Sequence, residues 1–540
     1  MGARVAKILL LGASAAAGTA HAQTPAPWPF AGADLANSRA SLSPAGPKQL
    51  NTVTAPTLTV KWTFNTVGSI GGTPTVEQGG LYVTDWANTL YKIDPDTGAL
   101  IWSHPFSFYT GATYGASRSS PAIGSQGEIV VGDTFNATVF AVNRTTGALI
   151  WKTVVDSNPL AFIHGSAVIY KGIVYIGVSS KDEGAGLTNP NFVPAFRGSV
   201  VALGETTGNI LWQFYTVPPG YTGAAVWNSQ PVVFSAAHSL IIATGNNYSV
   251  PASAQACLLS AGSSLPAQDK CLDPANHVDS DLSLDLTTGK LNWSRKFQVA
   301  DAFNGGCFKN FPSCPNPRGK EADFASAPNL VNIPNFTGVP DDRGGVSNSY
   351  LLGVGEHNGE FWGINPYDGG LFWGKVVGVD GPQWGTAINT YNNSAALIAN
   401  ENANNINTLL AGSASVAPFT WNGGSWGSID LRTGNFTWQG AAFGNDLTNP
   451  AHGSSAPSAI SFSNQVGFAA SSSGYMVAFN SSTGAILWSY NTGGNLESAP
   501  AIYNDTLYWG AGFQSPTSGK LYAFSIASPA SSGRTMPPGR

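Results

Sequence analysis

The chain has 540 residues, a formal net charge of −5 and no basic tract, and only 10% of its residues are charged, against ~25% in a typical soluble protein. Nucleic acid is therefore not an expected partner. Glycine is abundant (64 residues), aromatic residues make up 11%, and tryptophans (16) far outnumber methionines (3), a balance that suits turn-rich, tightly packed β structure.

The first element is a secretory signal. Arg4 and Lys7 precede the apolar run ILLLGASAAAG, and Ala20, His21 and Ala22 fit the small-x-small cleavage rule. Residues 1–22 are predicted to be removed, leaving 23–540 as one domain that is periplasmic or secreted. No later stretch reaches ~20 apolar residues, so no membrane span is expected. Residues 24–50, rich in proline and alanine, are expected to wrap the outside of the fold. A strand over 58–64 then ends at Trp62 without a preceding Thr-Gly turn.

From there one phrase recurs. DPDTGALIW ends at Trp102, NRTTGALIW at Trp151, GETTGNILW at Trp212, DLTTGKLNW at Trp293, PYDGGLFW at Trp373, DLRTGNFTW at Trp438 and NSSTGAILW at Trp488. Each reads as a strand, a glycine turn and a second strand closing on tryptophan, the signature of a β-hairpin whose glycine takes positive φ. One hairpin per repeat, at periods of roughly 40–80 residues, marks a propeller, whose blades must stack to bury their faces. The C-terminal region, about 499–526, supplies three strands and lacks a closing Trp strand. The two ends have complementary defects, so strand 58–64 should complete the last blade. The predicted fold is all-β, an eight-bladed propeller closed by its N- and C-terminal strands, with a frayed tail over 531–540.

Two insertions, near 248–282 and 301–348, interrupt the spacing, and each holds one cysteine pair. Four cysteines allow three pairings. An exported chain favours disulfides, and sequence-local pairing gives Cys257–Cys271 and Cys307–Cys314; a metal-thiolate site is the rival, without zinc-like spacing. Insertions in repeat proteins gather on one face, so the functional site is expected on the face carrying these two.

Polar residues interrupt the apolar strand pattern at few places. Arg118, in YGASRSSPAI, suits either a structural role or bidentate recognition of a carboxylate. Asp182 and Glu183 follow one apolar strand, Asn246 and Asn247 follow another, and Asp323 precedes a third. These oxygens could converge on a hard cation such as calcium, or simply form turns. Trp227 and Trp384 stand at strand entrances, as core residues or as platforms for a planar ring. His164 and His357 are isolated polar groups in apolar surroundings, where a lone histidine is more often structural.

Taken in order, WPFAGADLANSRAS, YGASRSSPAI, GVSSKDE, FRGSVVAL, AAVWNSQP, TGNNYSVP, HVDSDLSLDLTTG, EADFASAPNL, QWGTA and TLYWGAGF resemble the pyrroloquinoline quinone (PQQ) dependent alcohol dehydrogenases, most of all their polyvinyl alcohol dehydrogenase branch. The resemblance implies PQQ over the central channel, a calcium ion beside it, and oxidation of an alcohol. It assigns Arg118 to the PQQ carboxylates, Trp227 to the face of the ring, Asn246 to the metal, and Asp323 to the double role of base and metal neighbour. The carboxylate ligand is Asp182, counting from Ser179 without a gap, or the adjacent Glu183. Ser179, His164, His357, Trp384 and Trp509 complete the expected cofactor contacts.

Three departures from the family pattern matter. No cysteine pair stands before Arg118. His357 occupies a place where many members carry lysine or arginine, so cofactor affinity is expected to depend on pH. Ala325 stands where lanthanide-using relatives add an aspartate, which favours calcium. No C-x-x-C-H occurs, so a separate cytochrome c is the expected electron acceptor. The alternatives are a non-catalytic propeller that serves as a binding scaffold and a PQQ dehydrogenase for sugars or aldehydes.

Overall fold

In the computed structural model, residues 26–41, 49–112, 115, 117–391, 393–403, 406–447 and 449–527 are described. The predicted signal peptide and the tail over 531–540 lie outside them. Eight antiparallel sheets, each four strands deep along its ladder, follow one another around a ring. Blade 1 runs from Thr75 to Pro105, blade 2 from Ala122 to Val154, blade 3 from Ala161 to Tyr215 and blade 4 from Val232 to Lys296. Blades 5, 6 and 7 run from Asn329 to Val376, Ala387 to Ala441 and Ser461 to Asn491. Blade 8 takes three strands from Ala501–Ile526 and its outermost from Leu58–Thr66, paired antiparallel from Leu58 opposite Ile526 to Thr66 opposite Gly519. The two chain ends thus share one sheet, as their complementary defects imply.

The first strand of each blade is innermost. These strands touch their neighbours all the way round, and blade 8 closes on blade 1. Burial falls outward across each sheet: Gly80–Thr84 is wholly buried, whereas Leu100–Pro105 in the same blade is half exposed. No helix among the described residues is long and apolar enough to cross a membrane.

The repeat phrase has a second function that its local pattern does not reveal. Its glycine does take positive φ, 68° at Gly208, and it also leaves room for the tryptophan of the preceding blade: a Cβ on Gly208 would lie 2.4 Å from the Trp151 ring. The Trp151 indole N–H donates to the Glu205 carbonyl in that same turn at 2.8 Å. Trp62 docks likewise onto Gly98 and donates to the Pro95 carbonyl at 3.1 Å. At the seam, where no such turn exists, Trp488 donates to the Leu58 carbonyl at 3.0 Å.

A carboxyl pair also joins blades 2 and 3. Glu205 accepts from the backbone N–H and hydroxyl of Ser125 at 2.7 and 2.9 Å. Burial, then the hydrogen bond and charge of Glu205, push the Glu128 carboxyl up to about 8. In Glu205 the hydrogen bonds from Glu128 and Ser125 outweigh burial and hold the group below the usual range. Glu128 thus binds its proton more tightly folded than unfolded, where the value is near ~4.3. Its contribution to stability is present below that value and is lost as pH rises towards 8. Glu128→Gln, which keeps a donor to Glu205, is expected to flatten this part of the fall in melting temperature and to melt above wild type at pH 8.5. Calorimetry from pH 5 to 8.5 checks it; parallel curves for the two proteins would exclude a shared proton.

Of the segment expected to wrap the outside, residues 24–25 and 42–48 lie outside the described residues, and 28–41 do not wrap it. Residues 28–41 enter the central channel and bond to the innermost strands. Trp28 exchanges two backbone hydrogen bonds with Val76 of blade 1, and Ile123 of blade 2 donates to the Pro29 carbonyl. Val233, Leu330, Ile388 and Phe462 of blades 4 to 7 donate to the carbonyls of Leu35, Ala36, Ser38 and Arg39. The inner strands leave edge groups facing the channel, and this segment satisfies them.

Both cysteine pairs are the sequence-local disulfides, Cys257–Cys271 and Cys307–Cys314. The first ties the helix Ala252–Ala261 to the residues just after a second short helix, Leu265–Asp269. Part of the second insertion departs from expectation. Asn329–Pro340 and Val346–Gly355 are a lengthened hairpin of blade 5. Its tip folds towards the repeat turns, where Asn365 donates to Asp341 at 2.8 Å and Arg343 donates to the Asp368 carbonyl.

Candidate active site

The connections into the innermost strands converge on the ring axis at the end opposite the repeat turns. They enclose a small cavity of about 40 Å³. Its wall takes Gly71–Thr73 from the entrance to blade 1, Arg118 and Ser120 from blade 2, His164 and Ser166 from blade 3, and Trp227 and Ser229 from blade 4. Trp384, Ala459, Glu497 and Ala499 come from blades 6, 7 and 8, and the N-terminal segment adds Ala31 and Arg39 from within the channel. Such a site needs the ring to be closed, since its wall is drawn from the entrances to seven of the eight blades.

Arg118 lies between two indoles, its guanidinium carbon 4.6 Å from the Trp384 ring centre and 5.2 Å from that of Trp86. Its Nη2 donates to both oxygens of Glu497 at 2.8 and 2.7 Å, while its buried Nε has no partner. Burial pushes the Glu497 carboxyl up to about 7, against the lowering effect of Arg118. His164 stands between Trp384 and Trp227, at 5.1 and 5.4 Å between ring centres. Burial, then the charge of Arg118, push its imidazole down to about 3, so it is neutral at any working pH.

Beside this cavity the loops after the second strands of blades 3 and 4 meet the entrance to blade 5. The backbone N–H of Asn246 donates to a carboxylate oxygen of Asp323. The Asn246 side-chain nitrogen donates to the carbonyls of Asn247 and Phe303, at 3.1 and 2.8 Å, which leaves its buried Oδ1 without a partner. Burial pushes Asp323 up to about 8, and Glu321 and Asp301 add to the shift against the Asn246 N–H and the Trp227 indole. Glu183 is raised well above the usual range by burial and then by Asp323, Glu321 and Asp301. The buried hydroxyl of Tyr248, in the field of Glu183 and Asp323, has no partner. Among the described residues, no three His, Cys, Asp or Glu side chains are grouped to hold a metal. The set brought together here is two carboxylates and one amide oxygen.

The adjacent acids part company. Asp182 accepts from the Ser180 hydroxyl at 2.8 Å and from the backbone N–H groups of Ala195 and Phe196 at 2.7 and 3.0 Å. Its oxygens are thus engaged in holding a loop, while Glu183 lies within electrostatic reach of Asp323. Ser179 donates to the Val226 carbonyl at 2.9 Å and so anchors the residue before Trp227. Trp509 is fully buried in blade 8 and donates to the Ser498 carbonyl at 2.7 Å, next to Glu497 and outside the cavity wall. His357 is not part of the cavity wall. Its backbone N–H donates to the Asp323 carbonyl at 2.8 Å, and its Nε2 is 2.6 Å from the Gln383 side-chain nitrogen. Burial holds this imidazole below its ordinary value, against the charge of Asp380.

Arg39, Glu497 and Glu401 belong to this neighbourhood without a sequence signal of their own. Glu401 is pushed up to about 7 by burial and by Glu497 and Asp380. Each is one charged residue in a segment with no distinctive spacing, and only the ring brings them to the axis.

A family model described as outer membrane protein assembly factor BamB matches residues 28–185 and 422–529. The polyvinylalcohol dehydrogenase of Sphingopyxis sp. (strain 113P3) is 27% identical over 492 residues, covering 85% of this chain and 66% of that one. That of a Pseudomonas sp. is 26% identical over 499 residues, covering 87% and 68%. This chain therefore spans about two thirds of the length of these relatives. Among solved structures, the quinohemoprotein alcohol dehydrogenase from Comamonas testosteroni superposes with a TM-score of 0.65 at 17% identity, over 95% of this chain and 82% of that one.

Proposed function

We propose that this chain is a member of the PQQ-dependent alcohol dehydrogenases, as its similarity to two polyvinylalcohol dehydrogenases supports, and that it is an exported quinoprotein that oxidises secondary alcohols, polyvinyl alcohol among them, to ketones. The observation that carries this reading is the axial cavity, with a guanidinium and two indoles in reach of one another, set against a buried carboxylate that can take a proton.

The residues fit the implied groups. Arg118 has a buried, unpartnered Nε for a carboxylate, and Asn246 Oδ1 is an unpartnered acceptor beside two acids whose mutual repulsion a divalent cation would relieve. Glu183, Asn246 and Asp323 would hold calcium; Arg118 and Trp227 would hold and orient PQQ. When bound, PQQ supplies the two-electron acceptor and calcium the Lewis acid. Asp323 takes the hydroxyl proton of the alcohol as general base, with the Asn246 N–H fixing its orientation. The two disulfides support export, and a separate cytochrome c is the acceptor we propose for the electrons.

The description of the matching family model favours a second reading, a non-catalytic scaffold. A scaffold has no need of strongly raised buried carboxylates beside an axial arginine. Adding PQQ and calcium to the purified protein is expected to give a bound-quinone absorption spectrum and dye reduction that depends on a secondary alcohol. Failure of both, with the protein folded, would support the scaffold; dye reduction with glucose or aldehydes alone would reassign the substrate.

A further inference from the structure

Arg39 is a cavity residue whose charge the proposed chemistry leaves unused. It is carried by the channel segment, which is part of no blade, and is 1% exposed. Its Nε donates to the Ile460 carbonyl and its Nη2 to the Thr73 hydroxyl, both at 2.9 Å. These partners are neutral. None of the ion pairs among the described residues includes Arg39, whereas Arg118 in the same wall is offset by Glu497.

The surroundings are shaped to admit this side chain. Gly385, next to Trp384, has no Cβ to crowd it: one built there would lie 3.1 Å from Arg39 Cδ and 3.5 Å from Nη1. Arg39 itself adopts φ 50°, a left-handed conformation that is unfavourable for a non-glycine residue. A buried cation without a counter-ion is costly, and burial alone pulls this guanidinium down to about 9. A neutral ligand would leave that cost in place, and a ligand with one acidic group at Arg118 would leave it as well.

We infer that Arg39 is a second anion-binding residue of the cavity, so that the ligand is a polyanion held by two guanidiniums, one from the blade ring and one from the channel segment. The inference rests on the proposed function insofar as the ligand is PQQ, a planar tricarboxylic acid. It assigns one carboxylate to Arg118 and another to Arg39, on the side of the cavity that Trp384 and Gly385 form.

The test is titration of the apoprotein, followed by tryptophan quenching, with PQQ, with its trimethyl ester, and with trimesate (benzene-1,3,5-tricarboxylate) as a probe that is not a cofactor. Arg39→Gln is expected to weaken PQQ and trimesate about 10–100-fold, the worth of a hydrogen bond to a charged group, and to leave the ester unchanged. Arg39→Lys should lose less than Arg39→Gln. Should Arg39→Gln not fold, wild type must still prefer PQQ to the ester, and Arg39→Lys must narrow that preference. Equal weakening of acid and ester, or unchanged PQQ affinity in a variant that melts like wild type, would overturn the inference. If wild type binds trimesate through Arg39 but not PQQ, the anion site stands and the PQQ reading fails. If wild type binds neither acid, both fail.

Discussion

Asp323→Asn is expected to cut alcohol turnover by at least ~100-fold, the lower end for loss of a general base, while PQQ affinity stays within a few-fold. The amide is nearly isosteric with the acid and can still accept the Asn246 N–H, so the geometry of the loop survives. What it cannot do is take a proton. Burial and the neighbouring acids Glu321 and Asp301 raise the Asp323 carboxyl to about 8 without a metal, and a calcium ion beside it would favour the ionised form that a base needs. A calcium titration of the variant belongs with the assay, because Asp323 is also a proposed neighbour of the ion. Turnover near wild type at saturating calcium would remove Asp323 from the chemistry and leave it as a metal or structural residue.

Deleting residues 24–66 is expected to abolish cooperative unfolding. The deletion removes the outermost strand of blade 8, Leu58–Thr66, and with it the Leu58 carbonyl on which Trp488 docks. It also removes Trp62, which packs against the Gly98 turn of blade 1, and the segment that satisfies the inner edges along the channel. Trp28, Phe30, Leu50 and Leu58 are all buried. At ~1.5–3 kcal/mol each they represent about 6–12 kcal/mol, comparable to the ~5–15 kcal/mol net stability of a typical domain. The ring would also open, exposing two blade faces and a new sheet edge. Thermal unfolding followed by circular dichroism decides the matter: a truncated chain that melts as sharply as the full one would mean the seam is dispensable. Cleavage at the predicted signal site leaves all of these residues in place.

How much of this was legible in the chain depends on the distance over which each interaction acts. The repeat phrase is local, because a turn glycine and the strands on either side lie within about ten residues; blade number, the order of the hairpins and both disulfides follow from such patterns. The seam is long-range, yet it was readable because one end lacks what the other supplies. The channel segment carried no such mark. Its composition is that of a loop, and the strands that bind it lie tens to hundreds of residues away, so only the closed ring could draw it inward. The same holds for Arg39 and Glu497, single charges whose significance arises where blades meet. Asp182 and Glu183 are neighbours of one chemical type, and the course of the backbone decides that one holds a loop while the other lies within electrostatic reach of Asp323. Trp384 and Trp509 likewise have similar sequence surroundings, but one ends at the cavity wall and the other in the core of blade 8. Local sequence determined the unit and its repetition; burial and charge at the axis, which depend on eight units packing at once, were decided by the tertiary structure.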